Sequence, residues 1–199
     1  MSLIKLKNNA LDNLTSFEGS VSLGDMVLVS SATASSSASI EFSLGSYKEY
    51  KFFFVNMHPA TNSVRFQFNF SIDNGSNYNV TKTSTSFRAY HSENDASTEL
   101  SYESGSDLAQ GTGFQVLDLS SVGNGNDEAF SGVMSVFNPS SNTFVKHFIA
   151  TGEQNAANDF SHNGFIAGYA NTTSALTNIK FQMSSGNIDD GKILMFGLN

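Results

Sequence analysis

Any chemistry in this chain would have to be assembled from four histidines, eighteen acidic residues and no cysteine. His58, His91, His147 and His162 stand far apart. No two of them have the H-x-H or H-x-x-x-H spacing that brings two imidazoles to one metal. His147, between Lys146 and Phe148, reads as a histidine on the surface or edge of a strand. "DNGSN" (73–77) and "NIDDG" (187–191) superficially resemble calcium loops, but neither has the D-x-D-x-D-G register with a glutamate at the twelfth position. Asp, Asn and Gly are also what a tight turn requires for backbone reasons. No G-x-S-x-G, phosphate-cradling glycine loop or thiol nucleophile is present. Glycoside hydrolysis needs only two carboxylates. Here, however, the acids concentrate in one Gly- and Ser-rich segment, whereas catalytic carboxylates must be held firmly. The residues therefore predict no enzyme, no catalytic residues, no cofactor and no metal. A metal site built from distant positions, or weak calcium binding by Asp73, Asp189, Asp190 and the acidic segment, is the alternative.

Sugar binding is the other chemistry to weigh. It stacks pyranose rings on exposed aromatics, and with no Trp in the chain the candidates are Tyr78, Tyr90, Tyr102 and Tyr169. A tyrosine at a strand end also serves as a packing lid. The sequons Asn13-Leu14-Thr15 and Asn79-Val80-Thr81 follow from an Asn-, Ser- and Thr-rich composition.

The elements that would position these groups are strands. In "SVRFQFNFSIDNG" (63–75), Val64, Phe66, Phe68, Phe70 and Ile72 alternate with Arg65, Gln67 and Asn69. A period of two marks a strand with one buried and one solvated face. The expectation is that the phenylalanines pack inward and Arg65, Gln67 and Asn69 face water. Further strands are read at 26–31, 37–43, 49–57, 85–91, 113–119, 129–137, 143–150, 164–170, 177–183 and 191–198. The segment 49–57 ("EYKFFFVNM") is nearly continuously apolar and so central. A bulge near Gly132 would let Phe130, Val133 and Phe137 share a face. No segment keeps a helical period. The chain is predicted to be all-β, an antiparallel two-sheet sandwich of jelly-roll type.

Residues 92–128 carry eight acids and no Lys or Arg, which predicts a long surface excursion from a domain spanning 25–199. Residues 1–24 form a separate arm whose Leu3, Ile4, Leu6, Leu11 and Leu14 follow no strand period. These five are candidate assembly contacts, the alternative being a terminus folded over its own sandwich.

Composition narrows the partners. Only 14% of residues are charged and the net charge is −8, which disfavours nucleic acid. No run of 18 apolar residues exists to insert in a membrane. The opening "MSLIKLKNNALDNLTS" lacks the apolar core and cleavage site of an export signal, so synthesis in a cytoplasm is expected. Yet the neutral Ser/Thr/Asn surface suits a protein that packs against neighbours or works outside cells.

Two segments resemble small virion structural and fibre-type proteins of tailed bacteriophages, marine ones in particular. In "YKEYKFFFVNMHPATNSVRFQFNFSIDNGSNYNVTKTSTSFRAYH" (47–91), a Y-x-x-Y-x-F-x-F strand runs into H-P-A-T and then into alternating phenylalanines. "LTNIKFQMSSGNIDDGKILMFGL" (176–198) is similar to their C-terminal ending, with Met195-Phe196-Gly197 where Leu-Tyr-Gly would be expected. The resemblance implies a non-enzymatic virion component, either a capsid decoration protein or a tail-fibre module. It implies a homo-oligomer, by preference a trimer, contacting other virion proteins. A carbohydrate-binding module for host-surface glycans is the alternative reading.

Overall fold

The computed structural model describes residues 26–199, so the arm with Leu3, Ile4, Leu6, Leu11 and Leu14 lies outside the described residues. Twelve strands follow in chain order: β1 (Met26–Thr33), β2 (Ile40–Ser43), β3 (Glu49–Pro59), β4 (Phe66–Ser71), β5 (Lys82–Ser92), β6 (Thr98–Tyr102), β7 (Gln115–Val116), β8 (Phe130–Phe137), β9 (Lys146–Ala156), β10 (Phe160–Ala170), β11 (Asn178–Met183) and β12 (Ile188–Leu198). They form two antiparallel sheets, β1-β12-β3-β8-β9-β10-β5-β6 and β2-β11-β4-β7. Without β5, β6, β9 and β10, the orders 1-12-3-8 and 2-11-4-7 remain. That is the jelly roll, two interleaved Greek keys whose chain crosses between sheets. The hairpins β5–β6 and β9–β10 are insertions that both join beyond β8, extending one sheet from four strands to eight. The expected two-sheet sandwich is therefore present, and the larger sheet has an extension that the smaller one does not match.

Phenylalanine fills the jelly-roll core. Phe66, Phe68 and Phe70 on β4 are fully buried, as their alternation predicts. Phe181 on β11 is the hub, with ring centroids 5.2 Å from Phe54, 5.3 Å from Phe52 and 6.0 Å from Phe66. Phe68 meets Phe148 of the facing sheet edge-on at 5.3 Å. Each ring taken from water contributes roughly 1.5–3 kcal/mol, with an edge-to-face increment of about 1 kcal/mol.

Three expectations are corrected. Asn69 is fully buried, Arg65 and Gln67 are half-buried, and the outer face of β4 is not wet. The 92–128 segment covers it: β7 pairs with Gln67 and Phe68, and Leu117, Leu119 and Val122 enter the core. That segment is thus a packed part of the domain rather than a free excursion, and Ile72, beyond its cover, is exposed. The bulge lies not at Gly132 but across the ladder in β3, where pairing slips between Phe54 and Met57 and Asn56 takes a φ of 48°. β8 then alternates regularly, with Phe130, Met134 and Val136 inward and Val133 and Phe137 outward.

Candidate functional site

The extension reverses the jelly roll's arrangement of faces. On β5 the inward positions are Lys82, Ser84, Ser86 and Arg88, while Thr83, Thr85, Phe87 and Ala89 point outward. The 103–119 stretch supplies polar partners beneath them. Ser84 Oγ donates to Gln115 Oε1 at 2.6 Å, Ser86 Oγ donates to the Glu103 carbonyl at 2.7 Å, and Arg88 Nη1 donates to the Leu119 carbonyl at 2.7 Å. Arg88 also faces the Glu103 carboxylate at 2.8 Å. Arg65 donates through Nε to Asp118 Oδ1 at 2.6 Å, and the Phe66 amide donates to Oδ2 at 2.7 Å. Burial pushes the Asp118 carboxyl up to about 7 against the pull of Arg65. Acids that looked solvated in the sequence are thus partners for arginines contributed by other strands.

Two lysines flank Ala170 in register, Lys82 on β5 and Lys146 on β9, and both are fully buried without a carboxylate. Lys82 Nζ donates to Asn69 Oδ1 at 2.5 Å and to the Val80 carbonyl at 2.8 Å, tying the extension to β4. Burial lowers its pKa to about 7. Lys146 Nζ donates to the carbonyls of Thr172 and Ser174. His162 is buried between Phe160 and Tyr90 with no partner for either ring nitrogen. Burial, with Arg88 and Arg65 nearby, lowers its pKa to about 4.

An apolar band crosses the outward face, with outward charges at Glu153 on β9, Lys51 on β3 and Lys192 on β12 outside its part on the extension. One register row crosses all eight strands: Ser31, Leu194, Phe53, Val133, Thr151, Phe165, Phe87 and Tyr102. The next row on the extension is Ile149, Ala167 and Thr85. Neither row carries a charge on β9, β10 or β5. Phe87 and Phe165 stack face to face, with centroids 4.9 Å apart and planes 9° apart. They remain 44% and 40% exposed, beside Ile149 and Tyr102 at 55% each. The small side chain of Ala167 leaves a hollow of about 390 Å³ beside this ridge, walled by Ile149, His147 and Tyr169.

The histidines and acids singled out by sequence are not gathered together. His91 pairs with Asp95 at 3.1 Å on the surface, His147 lies on the outer face beside Tyr169, and His162 is internal. His58 Nε2 donates to the Gly125 carbonyl at 3.0 Å, fixing its proton on that nitrogen. With Asn56, Asn126, Asp127, Asp189 and Asp190 it lines an open polar cleft of about 390 Å³ at one end of the sandwich. Asp73 is at the other end, closing its own turn by accepting from Ser71 Oγ and from the Asn77 backbone and side chain. Those bonds, Ser71 first, hold its carboxyl down at about 2. Asp190 likewise accepts from the Gly191 amide, where φ is 121°. Among the described residues no three His, Asp or Glu side chains are grouped to hold a metal, and no helix is long and apolar enough to cross a membrane.

The tyrosines proposed for sugar stacking are engaged by neighbours. Tyr78 donates to Glu41 with Lys180 over its ring, and Tyr90 donates to Glu99 beside Arg88. Tyr102 donates to Asp107 at its exposed edge, while the Tyr169 hydroxyl accepts from Gln110 Nε2 at 3.5 Å. The signal for the outer face was present in sequence: β3 and β12 are apolar on both faces, and Phe53 and Phe196 meet outside at 5.5 Å. Comparison with protein-family models, with curated proteins and with solved structures found no match.

Proposed function

We propose that this chain is a non-enzymatic structural component of a tailed-phage particle, a decoration or fibre module whose work is packing and surface presentation. The observation that carries the reading is the outward apolar face of the eight-stranded sheet. Apolar patches of this extent on a folded domain mark contact with other protein. A rigid jelly roll is a common frame for such contacts, in capsid domains among others. The resemblance of 47–91 and 176–198 to virion proteins supports the same reading and adds a threefold assembly as the expected form. Its test is to tag the chain and image purified particles by cryo-electron microscopy. Tag density at repeated positions on head or tail supports the proposal, and a tag found only in the particle-free supernatant contradicts it.

The polar cleft around Asn56, His58, Asn126 and Asp189 favours a second reading, adhesion to host-surface glycans. Its amide and carboxylate groups match sugar hydroxyls, though no aromatic lines it. Glycan-array binding that Asp189→Ala abolishes would support this reading.

A further inference from the structure

We infer that the outer face of the extension pairs with the same face of a second copy of this chain. The inference rests on the structural-component reading and names the surface it uses. Three observations point to a second copy rather than to an unrelated partner. First, the face carries both halves of a joint. The stacked Phe87 and Phe165 rings form a ridge, and the hollow over Ala167 lies beside it. A two-fold axis through such a face sets each ridge into the other's hollow, as an isologous contact requires. Second, the chain carries −8, so two copies repel except where charge is absent, and the rows through Phe165 and Ala167 hold none on β9, β10 and β5. A basic partner would find nothing there to select it. Third, the face is large enough. The extension's four strands, at about 4.8 Å spacing and about 3.3 Å per residue, give roughly 600 Å². The same apolar row continues through Val133, Phe53 and Leu194 of β8, β3 and β12, which brings the face to the roughly 800 Å² per partner that stable interfaces bury.

The inverted faces of β5 strengthen the case. The 103–119 stretch satisfies Ser84, Ser86 and Arg88 inside, but the same alternation leaves Phe87 outside, where burial against another apolar face removes it from water. A face-to-face pair is compatible with threefold contacts made elsewhere, so the assembly holds an even number of copies, two or six.

Sedimentation equilibrium of the full-length protein at 1–100 µM tests this. The wild type is expected at two or six copies. Phe165→Glu and, independently, Ala167→Arg, which fills the hollow, should each halve the mass while leaving the melting temperature within about 3 °C of wild type. A monomeric or three-copy wild type overturns the inference. So does a folded variant of either kind with undiminished mass. Particle imaging remains separate: a monomer found on particles would remove the pairing and leave the structural role standing.

Discussion

β4 and β5 follow one another in the chain, both alternate strictly, and they point their phenylalanines in opposite directions. On β4 the polar side is sealed beneath the 103–122 stretch, and the phenylalanines close the core between the two sheets. On β5 the polar side takes the interior and Phe87 is left outside. The difference lies in what covers each strand. β4 faces the apolar side of β3 and β8, whereas β5 lies beyond the edge of the smaller sheet and is covered only by a segment rich in carboxylates, serines and backbone carbonyls. A polar lid selects a polar inner face. The jelly roll is therefore held by ring packing, and its extension by ion pairs and hydrogen bonds.

The largest effect that would separate the two regions is a ring deletion. Phe181→Ala removes the hub of the core and should cost about 3–5 kcal/mol in chemical denaturation. Phe87→Ala should cost under about 1 kcal/mol when measured on a variant that does not self-associate. Equal costs would mean that both faces are core. Next is the polar joint. Asp118→Ala strands Arg65 and the Phe66 amide, and should lose roughly 2–4 kcal/mol, while Asp118→Asn keeps the amide's acceptor and loses less.

A smaller effect tests the lid alone. A side chain at Gly164 would meet Leu119 at about van der Waals contact or closer, the new Cβ lying 3.0 Å from Leu119 Cγ. Gly164→Val should cost about 1–2 kcal/mol and speed hydrogen exchange through 103–122 while leaving β4 and β11 protected. Faster exchange throughout the core would show that lid and jelly roll are one cooperative unit.

The smallest effect is a pH slope. Lys82 is held near 7 in the fold against an ordinary value of 10.5, so the unfolded chain binds the extra proton between those limits. Stability from this group is complete above pH 10.5 and is lost as pH falls toward 7. His162 acts in the same direction between 6.5 and 4, whereas Asp118, raised from 3.8 to about 7, opposes it there. The clean window is therefore above pH 7. The melting temperature should rise by a few degrees between pH 7 and 9, and Lys82→Met should flatten that rise. An unchanged slope in the variant would place the titrating group elsewhere.

The contrast also explains what could be read in advance. Alternation states that a strand has two faces, and the composition of β4 made its inner one plain. It does not state which face meets the core, and the pattern of Lys82, Ser84, Ser86 and Arg88 becomes an interior only once Glu103, Gln115 and Leu119 are known to lie against it. Those partners come from 15 or more positions along the chain through a segment in which only 113–119 reads as a strand, as in the 31-residue separation of Ser84 and Gln115. Asn69 reads as solvent-facing for the same reason, its cover lying far along the chain. The polar cleft is likewise not legible in the sequence, since Asn56 reaches it through a bulge whose position the apolar pattern does not fix. By contrast, the apolar outer face was legible in "EYKFFFVNM" and "GKILMFGL", which read as apolar on both sides and thus as strands in need of cover on both.

The central claim is that the outward aromatics of the extension belong to an interface, and hydroxyl-radical footprinting of the assembled full-length protein tests it most directly. Phe144, on a loop and 68% exposed, is the internal reference for a ring in water. Phe87, Phe165 and Tyr102 should be oxidised several-fold more slowly than Phe144 in the assembly, and the protection should vanish in Phe165→Glu for the remaining two. Oxidation of Phe87 and Phe165 at the rate their exposure in the single chain allows, with no change on disassembly, would contradict the account.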